Sequence, residues 1–462
     1  MTQAPLTREV KIPFASTRNS CKLCAPLGAS VAYRGIDGCV PLVHGSQGCS
    51  TYIRRYVISH FREPIDVASS NFTESSAVFG GAENLARALD NITKQYSPRA
   101  IGIASTCLSE TMGEDVSMHL RSYRSSRPEG GPAIFNASTP SYRGTHIDGF
   151  HEAVYAAVAA LAGKGEASER TPGARRVNAF PGFVSAEDLR ALKATIASFG
   201  LEGTLMPDYS ETLDGESWAE YQKLPEGGTP IDAIRSMDKA NASVQLGFAV
   251  SERSDSAAYL EREFGVKAER LELPIGVVNT DRFMDTLARL SGNPVPREET
   301  KARGRLVDAY IDGHKYLFGK RAIVYGDEDF AVAISGFLAE IGVIPVVAAT
   351  GAATGNFARR IAGACGEIAG EIAAFEDTDF ATTLDRAREA KPDFAIGNSK
   401  GFYIARNLGI PLVRCGFPIH DRIGGQRILH LGYRGTANLF DLVCNALMAE
   451  SQNRAKNGYT YI

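Results

Sequence analysis

No apolar run in this 462-residue chain is long enough to cross a bilayer. The longest, Ala153 to Ala162, falls well short of the roughly 20 residues a membrane helix needs. The opening stretch MTQAPLTREVKIPFAS has no apolar core of the secretory kind, so a cytoplasmic location is expected. A surplus of one charge is missing too. Lys and Arg total 50 against 53 Asp and Glu, a net charge of −3. Arg54 and Arg55 form a pair rather than a basic stripe, which argues against binding a phosphate backbone; neither nucleic acid nor membrane is an expected partner. There is no Walker A sequence and no GxGxxG after a strand, and the turns GDEDF and GNSKG are too short to cradle phosphates. ATP binding by this chain itself is therefore not expected. Eight cysteines without a secretion signal do not read as a disulfide framework.

What is present is ordinary for a soluble globular enzyme: 44% hydrophobic and 22% charged residues, in a chain long enough for two or three α/β units. Strand and helix patterns alternate. RAIGIAST reads as a strand, and so does RVNAFPGF, which leads into the helix SAEDLRALKATIASFG and the strand LEGTLMPD. Ser185 suits the N-cap of that helix and Gly200 its C-terminal stop. Residues 321–351 repeat strand, turn, helix and strand, and 375–399 place the strand DFAIGNS after a helix. Such alternation predicts parallel, doubly wound sheets. Polar Gly/Pro-bearing breaks near 165–175 and 290–300 divide the chain into 1–170, 171–295 and 296–462. Ligands in these sheets bind beyond the carboxyl ends of strands, where Cys107, Asp327 and Ser399 fall; for Asp327 helix capping is the favoured role.

Cys24, Cys49 and Cys107 carry the chemistry. Each sits in a Gly-rich or strand-to-turn context, KLCAPLGA, HGSQGCSTY and GIASTCLSETMGED. Glycine turns let backbone and sulfur approach an inorganic cluster closely, a role open to Gly28, Gly45 and Gly48. The cysteines are 25 and 58 positions apart, too wide for a zinc knuckle and unlike a ferredoxin run. Three thiolates do not complete a four-iron cluster, so a second chain must supply the rest. Cys39, Cys365, Cys415 and Cys444 sit in apolar surroundings as small core residues. Cys21 forms a CxxC with Cys24, open to ligation but read first as a neighbour of the ligand.

The series CAPLGA, VHGSQGCSTY, HFREP, AVFGG, STCLSETMGEDV and TPSYRGTH resembles the β subunit of nitrogenase component 1 and its relatives. The likeness resumes at RGRLVDAYIDGHKYLFGKRAIVYGDEDF, KPDFAIGNSKG and RCGFPIHDRIGGQRILHLGYRGT. It implies three Rossmann-like parallel-sheet domains of the nitrogenase component 1 type. It also implies a P-type iron–sulfur cluster, 8Fe-7S or related, shared with an α-type subunit in an α2β2 tetramer. Carried over residue by residue, Cys24, Cys49 and Cys107 are the matching ligands, and Ser141 matches a serine that ligates the oxidised cluster. Phe79 matches an aromatic on the docking surface for an ATP-hydrolysing iron protein; the other reading is a core Phe. Tyr52 matches a tyrosine near the relay, with packing the favoured role. His44 reads as a core histidine or a support for a ligand. Glu63 matches a carboxylate at a structural cation, whose other ligands are not matched here. The catalytic cofactor is implied in the α-type subunit, and Cys415 with His420 is discounted as a substitute.

Three branches of the family compete. LMPDYSETLDGE and ARNLGIPLVRCGFPIHDRIGGQR look like a cofactor-assembly scaffold subunit, yet all three cysteines and Ser141 are kept. Only 23 residues precede Cys24, fewer than in the β subunit of molybdenum nitrogenase. The favoured reading is the β-type subunit of a methylthio-alkane reductase acting on small methylated thioethers. The alternatives are nitrogenase proper and the scaffold.

Overall fold

The computed structural model describes residues 8–9, 21–127, 130–165 and 175–455. The chain forms two compact units. Of the described residues, one holds those within 23–246 and 250–270; the other holds 8–9, 21–22, 247–249 and 271–455.

The first unit is built on two four-stranded sheets. One runs in the order Ala68–Ser69, Cys39–His44, Ala100–Ser105, Ala133–Ala137; the other Glu202–Leu205, Arg176–Phe180, Ala242–Leu246, Lys267–Leu271. The first sheet is parallel throughout, with Leu42 opposite Ile103 and Gly102 opposite Phe135. CVPLVH and AIGIAS are buried at every position, as strands covered on both faces must be. On one face, Val40, Leu42, Ile101 and Ile103 pack against Leu85, Leu89 and Ile92. The helix Ala186–Ser198 starts at Ser185, whose hydroxyl accepts from the Asp188 amide, and ends just before Gly200 at φ +71°.

The second unit surrounds a six-stranded parallel sheet ordered Arg8–Glu9, Ala373–Phe375, Ile344–Thr350, Arg321–Gly326, Phe394–Gly397, Leu412–Arg414. Cys21 lies in its apolar core beside Ala349 and Phe380. Asp327 stands at the N-cap position of the helix Glu328–Glu340. Beyond the strand Phe394–Gly397 it is Asn398 that caps, by accepting from the Lys400 amide, while the Ser399 hydroxyl bonds to Asp421. The segment between residues 291 and 297, read above as a break, joins the helices Val277–Ser291 and Arg297–Leu317 of this unit. Most of the other break, near 165–175, lies outside the described residues. Among the described residues no helix is long and apolar enough to cross a membrane.

Candidate metal centre

Three neighbouring strands of the first sheet end at the site. Cys39–His44 leads through Gly45 and Ser46 into the helix Gln47–Phe61, in which Cys49 is the third residue. Ala100–Ser105 leads through Thr106 to Cys107, the first residue of a short helix ending at Thr111. Ala133–Ala137 leads to the turn holding Ser141. Carboxyl ends of parallel strands are where such sheets gather ligands. Cys24 arrives separately, at the N-cap of the helix Ala25–Arg34.

That helix is buried along its whole length, because it crosses His146–Leu161 at backbone contact. A Cβ on Gly28 would lie 1.6 Å from the His146 carbonyl oxygen, and one on Gly149 would lie 1.9 Å from that of Ala25. The two glycines let the crossing close, and the crossing sets Cys24 beside Ser141. The Ala25 amide donates to Ser141 Oγ at 3.1 Å, and the Ser141 amide donates to Cys107 Sγ at 3.2 Å. The Ser141 turn is held by the strand end before Cys107: Thr139 Oγ1 donates to the Ser105 carbonyl at 2.7 Å, and the Ser138 hydroxyl donates to Glu110 at 2.6 Å. Gly45 is similarly tight, since a Cβ there would meet Thr106 Oγ1 at 2.4 Å; Gly48 has room to spare.

The thiols sense one another. Burial raises the pKa of Cys24, and the charges of Cys107 and Cys49 raise it further, while hydrogen bonds from Ser141 and Tyr52 oppose the rise. Ser46 Oγ is 3.7 Å from Cys49 Sγ. All eight cysteines are free, and exposure separates them: Cys24 and Cys49 are half-buried, Cys107 is exposed, and the other five are buried. Burial pushes Cys21, Cys39 and Cys365 up to about 12 and Cys444 to about 11, leaving them protonated and inert. Cys415 is buried and His420 is exposed.

Soft sulfur donors at helix starts, where the backbone dipole favours a thiolate, fit an iron–sulfur cluster. Among the described residues no three His, Cys, Asp or Glu side chains are close enough to hold one single metal ion. On the Ser141 side lies a cavity of about 260 Å³ lined by Ala25, Ser138, Arg143, Glu152 and Arg253 among others, with Arg253 donating to Glu152 at 3.1 Å.

Sequence reasoning gave Tyr52 a packing role. It does pack on Tyr56, the rings tilted at 4.7 Å between centres, but its hydroxyl also bonds to the Cys24 sulfur. Its position three residues after Cys49 was the available signal. His44 is fully buried and sits 3.1 Å from Ser70 Oγ. Phe79, at the end of the helix Glu74–Phe79, is 87% exposed, which rules out the core reading. Glu63 is half-buried on the turn after Gln47–Phe61.

A family model described as nitrogenase component 1 type oxidoreductase matches residues 24–448. The nitrogenase molybdenum-iron protein beta chain of Clostridium pasteurianum is 36% identical over 93% of this chain and 93% of its own length. That of Methanothermobacter thermautotrophicus is 35% identical over 94% of each. Among solved structures, a chain of nitrogenase Cp1 at pH 6.5 matches with a TM-score of 0.93 at 34% identity, covering 98% of both chains. Another chain, from nitrogenase Cp1 at pH 5, shares the fold alone, with a TM-score of 0.69 at 17% identity over 96% of this chain and 91% of that one. Fold and sequence together define an oxidoreductase chain of the three-sheet α/β kind. It belongs to the nitrogenase component 1 type oxidoreductases and, within them, to the β type.

Proposed function

We propose that this chain is the β-type subunit of a nitrogenase-like reductase and that Cys24, Cys49 and Cys107 hold its half of a P-type iron–sulfur cluster. The observation that carries this reading is selective exposure: of eight cysteines only these three are not buried, Cys24 and Cys107 both bond to Ser141, and Cys49 lies within electrostatic reach of Cys24. Such a cluster, when bound, stores and passes single electrons. The chain's own residues do the rest. The cysteines bind iron as thiolates, so each must give up its proton on loading. Tyr52 and Ser141 bond to the Cys24 sulfur and ease that loss against its burial. The Ser141 amide keeps a donor on the Cys107 sulfur, and its hydroxyl would be a further ligand to the oxidised cluster. The exposed side of Cys107 is left for an α-type subunit, which supplies the remaining ligands and the catalytic cofactor in an α2β2 assembly. Phe79 anchors an ATP-dependent iron protein, the electron donor.

For the substrate we keep two readings. A small methylated thioether is favoured by the scaffold-like body segments combined with a complete ligand set. Dinitrogen is favoured by relatives named nitrogenase molybdenum-iron protein beta chains. We read three domains, 1–170, 171–295 and 296–462; each contains one sheet, apart from the strand Arg8–Glu9. A cytoplasmic location fits this chemistry.

The test is anaerobic co-purification with the α-type partner, iron quantitation, and EPR with and without oxidant. About eight irons per αβ pair beyond the cofactor supports the relay, whereas about four with a simple reduced four-iron signal supports the scaffold and removes Cys49 and Cys107 from the ligands. Turnover of dimethyl sulfide or ethyl methyl sulfide, set against dinitrogen and acetylene, then decides the substrate.

A further inference from the structure

Behind Phe79 lies a buried carboxylate that the relay reading does not use. Glu114 follows the Cys107 helix by three residues, and its side chain is 6% exposed. A carboxylate so enclosed is costly unless hydrogen-bonded. Its partners come from three different segments. Oε1 accepts from the Gly81 amide at 2.7 Å, Oε2 accepts from His119 Nε2 at 2.9 Å, and His44 Nε2 stands 3.7 Å from Oε2. Among the described residues His44 Nε2 makes no hydrogen bond, and this carboxylate is its ion-pair neighbour.

Each partner leads to a functional segment. Gly81 is two residues from Phe79 and has no slack, because a Cβ on it would lie 2.3 Å from the Phe72 ring and 3.1 Å from His44 Cε1. The Glu114 amide donates to the Ser109 carbonyl at 3.1 Å, inside the helix that begins at Cys107, and Ser109 Oγ accepts from the Thr106 amide at 2.9 Å. His44 closes the strand that leads to Cys49, and its carbonyl accepts from Thr106 Oγ1 at 3.0 Å. One carboxylate thus joins the exposed Phe79 tip to both strand ends that deliver cysteine.

The geometry points to Glu114 as a positioning residue that couples the Phe79 surface to the turns carrying Cys107 and Cys49. This rests on the proposed docking and relay roles and adds the route between them. A partner pressing on Phe79 moves the Gly80–Gly81 turn, and the Gly81 amide carries that shift to Glu114. Because Glu114 is bonded to the Cys107 helix through its own backbone, the displacement reaches the sulfur without crossing solvent.

The test is hydrogen exchange, read by mass spectrometry on the α/β complex with and without the iron protein, for wild type and E114Q. In wild type, docking protects residues 74–82 and also slows exchange across 105–114 about fivefold or more, the low end of ordinary coupling between sites. In E114Q the protection at 74–82 stays and the slowing at 105–114 is lost. Equal slowing in both proteins, or none in wild type, overturns the coupling while leaving docking intact. No protection at 74–82 in wild type overturns the docking reading and the coupling with it. Where E114Q does not assemble, E114D takes its place. It keeps the charge but falls one methylene short of the Gly81 amide, and the same outcomes apply.

Discussion

The backbone N–H of Ser141 donates to the sulfur of Cys107 across 3.2 Å, joining residues 34 positions apart. On its other side the Ser141 hydroxyl accepts from the amide next to Cys24. One residue therefore spans two candidate ligands with different groups, and only the hydroxyl depends on the side chain.

Ser141→Ala removes the acceptor for the Ala25 amide and leaves the bond to Cys107. The expected cost in stability is about 1 kcal/mol. Iron content at rest should match wild type, while the EPR signal after oxidation changes. An oxidised spectrum identical to wild type removes Ser141 from the ligand set.

Cys107→Ala should lose the cluster, and with it much of the association with the α-type partner, because metal binding and folding of the site are linked. Cys39→Ala, deep in the core, should keep its iron. Iron analysis of the two purified complexes separates these outcomes, and a Cys107 variant with full iron content would refute the assignment.

Gly149→Ala forces a methyl into the Ala25 backbone. Overpacking of this kind costs about 1–3 kcal/mol. The helix that must give way begins at Cys24, so thermal denaturation should report a lower midpoint and iron content should fall together with it. A lower midpoint with full iron would mean that the crossing supports the fold but not the ligand.

Phe79→Ala should weaken docking of the iron protein by about 2 kcal/mol, roughly thirtyfold in Kd, as for an interface anchor. Cluster spectra should not change. Binding titrations at fixed salt test this, and unaltered affinity returns Phe79 to the status of an incidental surface residue.

Burial holds His44 neutral, its pKa drawn down to about 4 from 6.5, with Glu114 opposing the shift. An unfolded chain takes up this proton near 6.5 and the folded chain only near 4. Stability is therefore lost progressively as pH falls between those values, with no further loss from this group below them. Denaturant titrations across that range should show the slope, and His44→Gln should flatten it. A variant that keeps the full slope would place the titration elsewhere.

The alternation of strands and helices was legible because buried parallel strands read as short apolar runs, and because Ser185 and Gly200 mark a helix by capping chemistry. The cysteines were legible from their glycine-rich turns. What joins them was not. The Tyr52 hydroxyl reaches Cys24 only because the helix after one strand end folds over the start of another, and Glu114 meets Gly81 and His44 across gaps of 33 and 70 positions. The CxxC of Cys21 and Cys24, open to ligation but read first as placing Cys21 merely beside a ligand, is likewise a pattern of sequence alone. Three positions apart, they belong to different units, and Cys21 is packed near Thr383 and Lys400. Phe79 was ambiguous because an apolar residue in a short helix has the same pattern facing in or out.

The uneven shielding of the eight thiols bears on how the molecule has to be made and handled. Five sulfurs are buried, and the three left open are those proposed as cluster ligands. A subunit that meets air before it meets its partner would be damaged first at Cys107, where a sulfenic acid or a mixed disulfide blocks metal loading. If Cys107 is a ligand, the chain's weakest point in isolation is its working point in the assembly, and pairing before exposure to air becomes a condition of its biosynthesis.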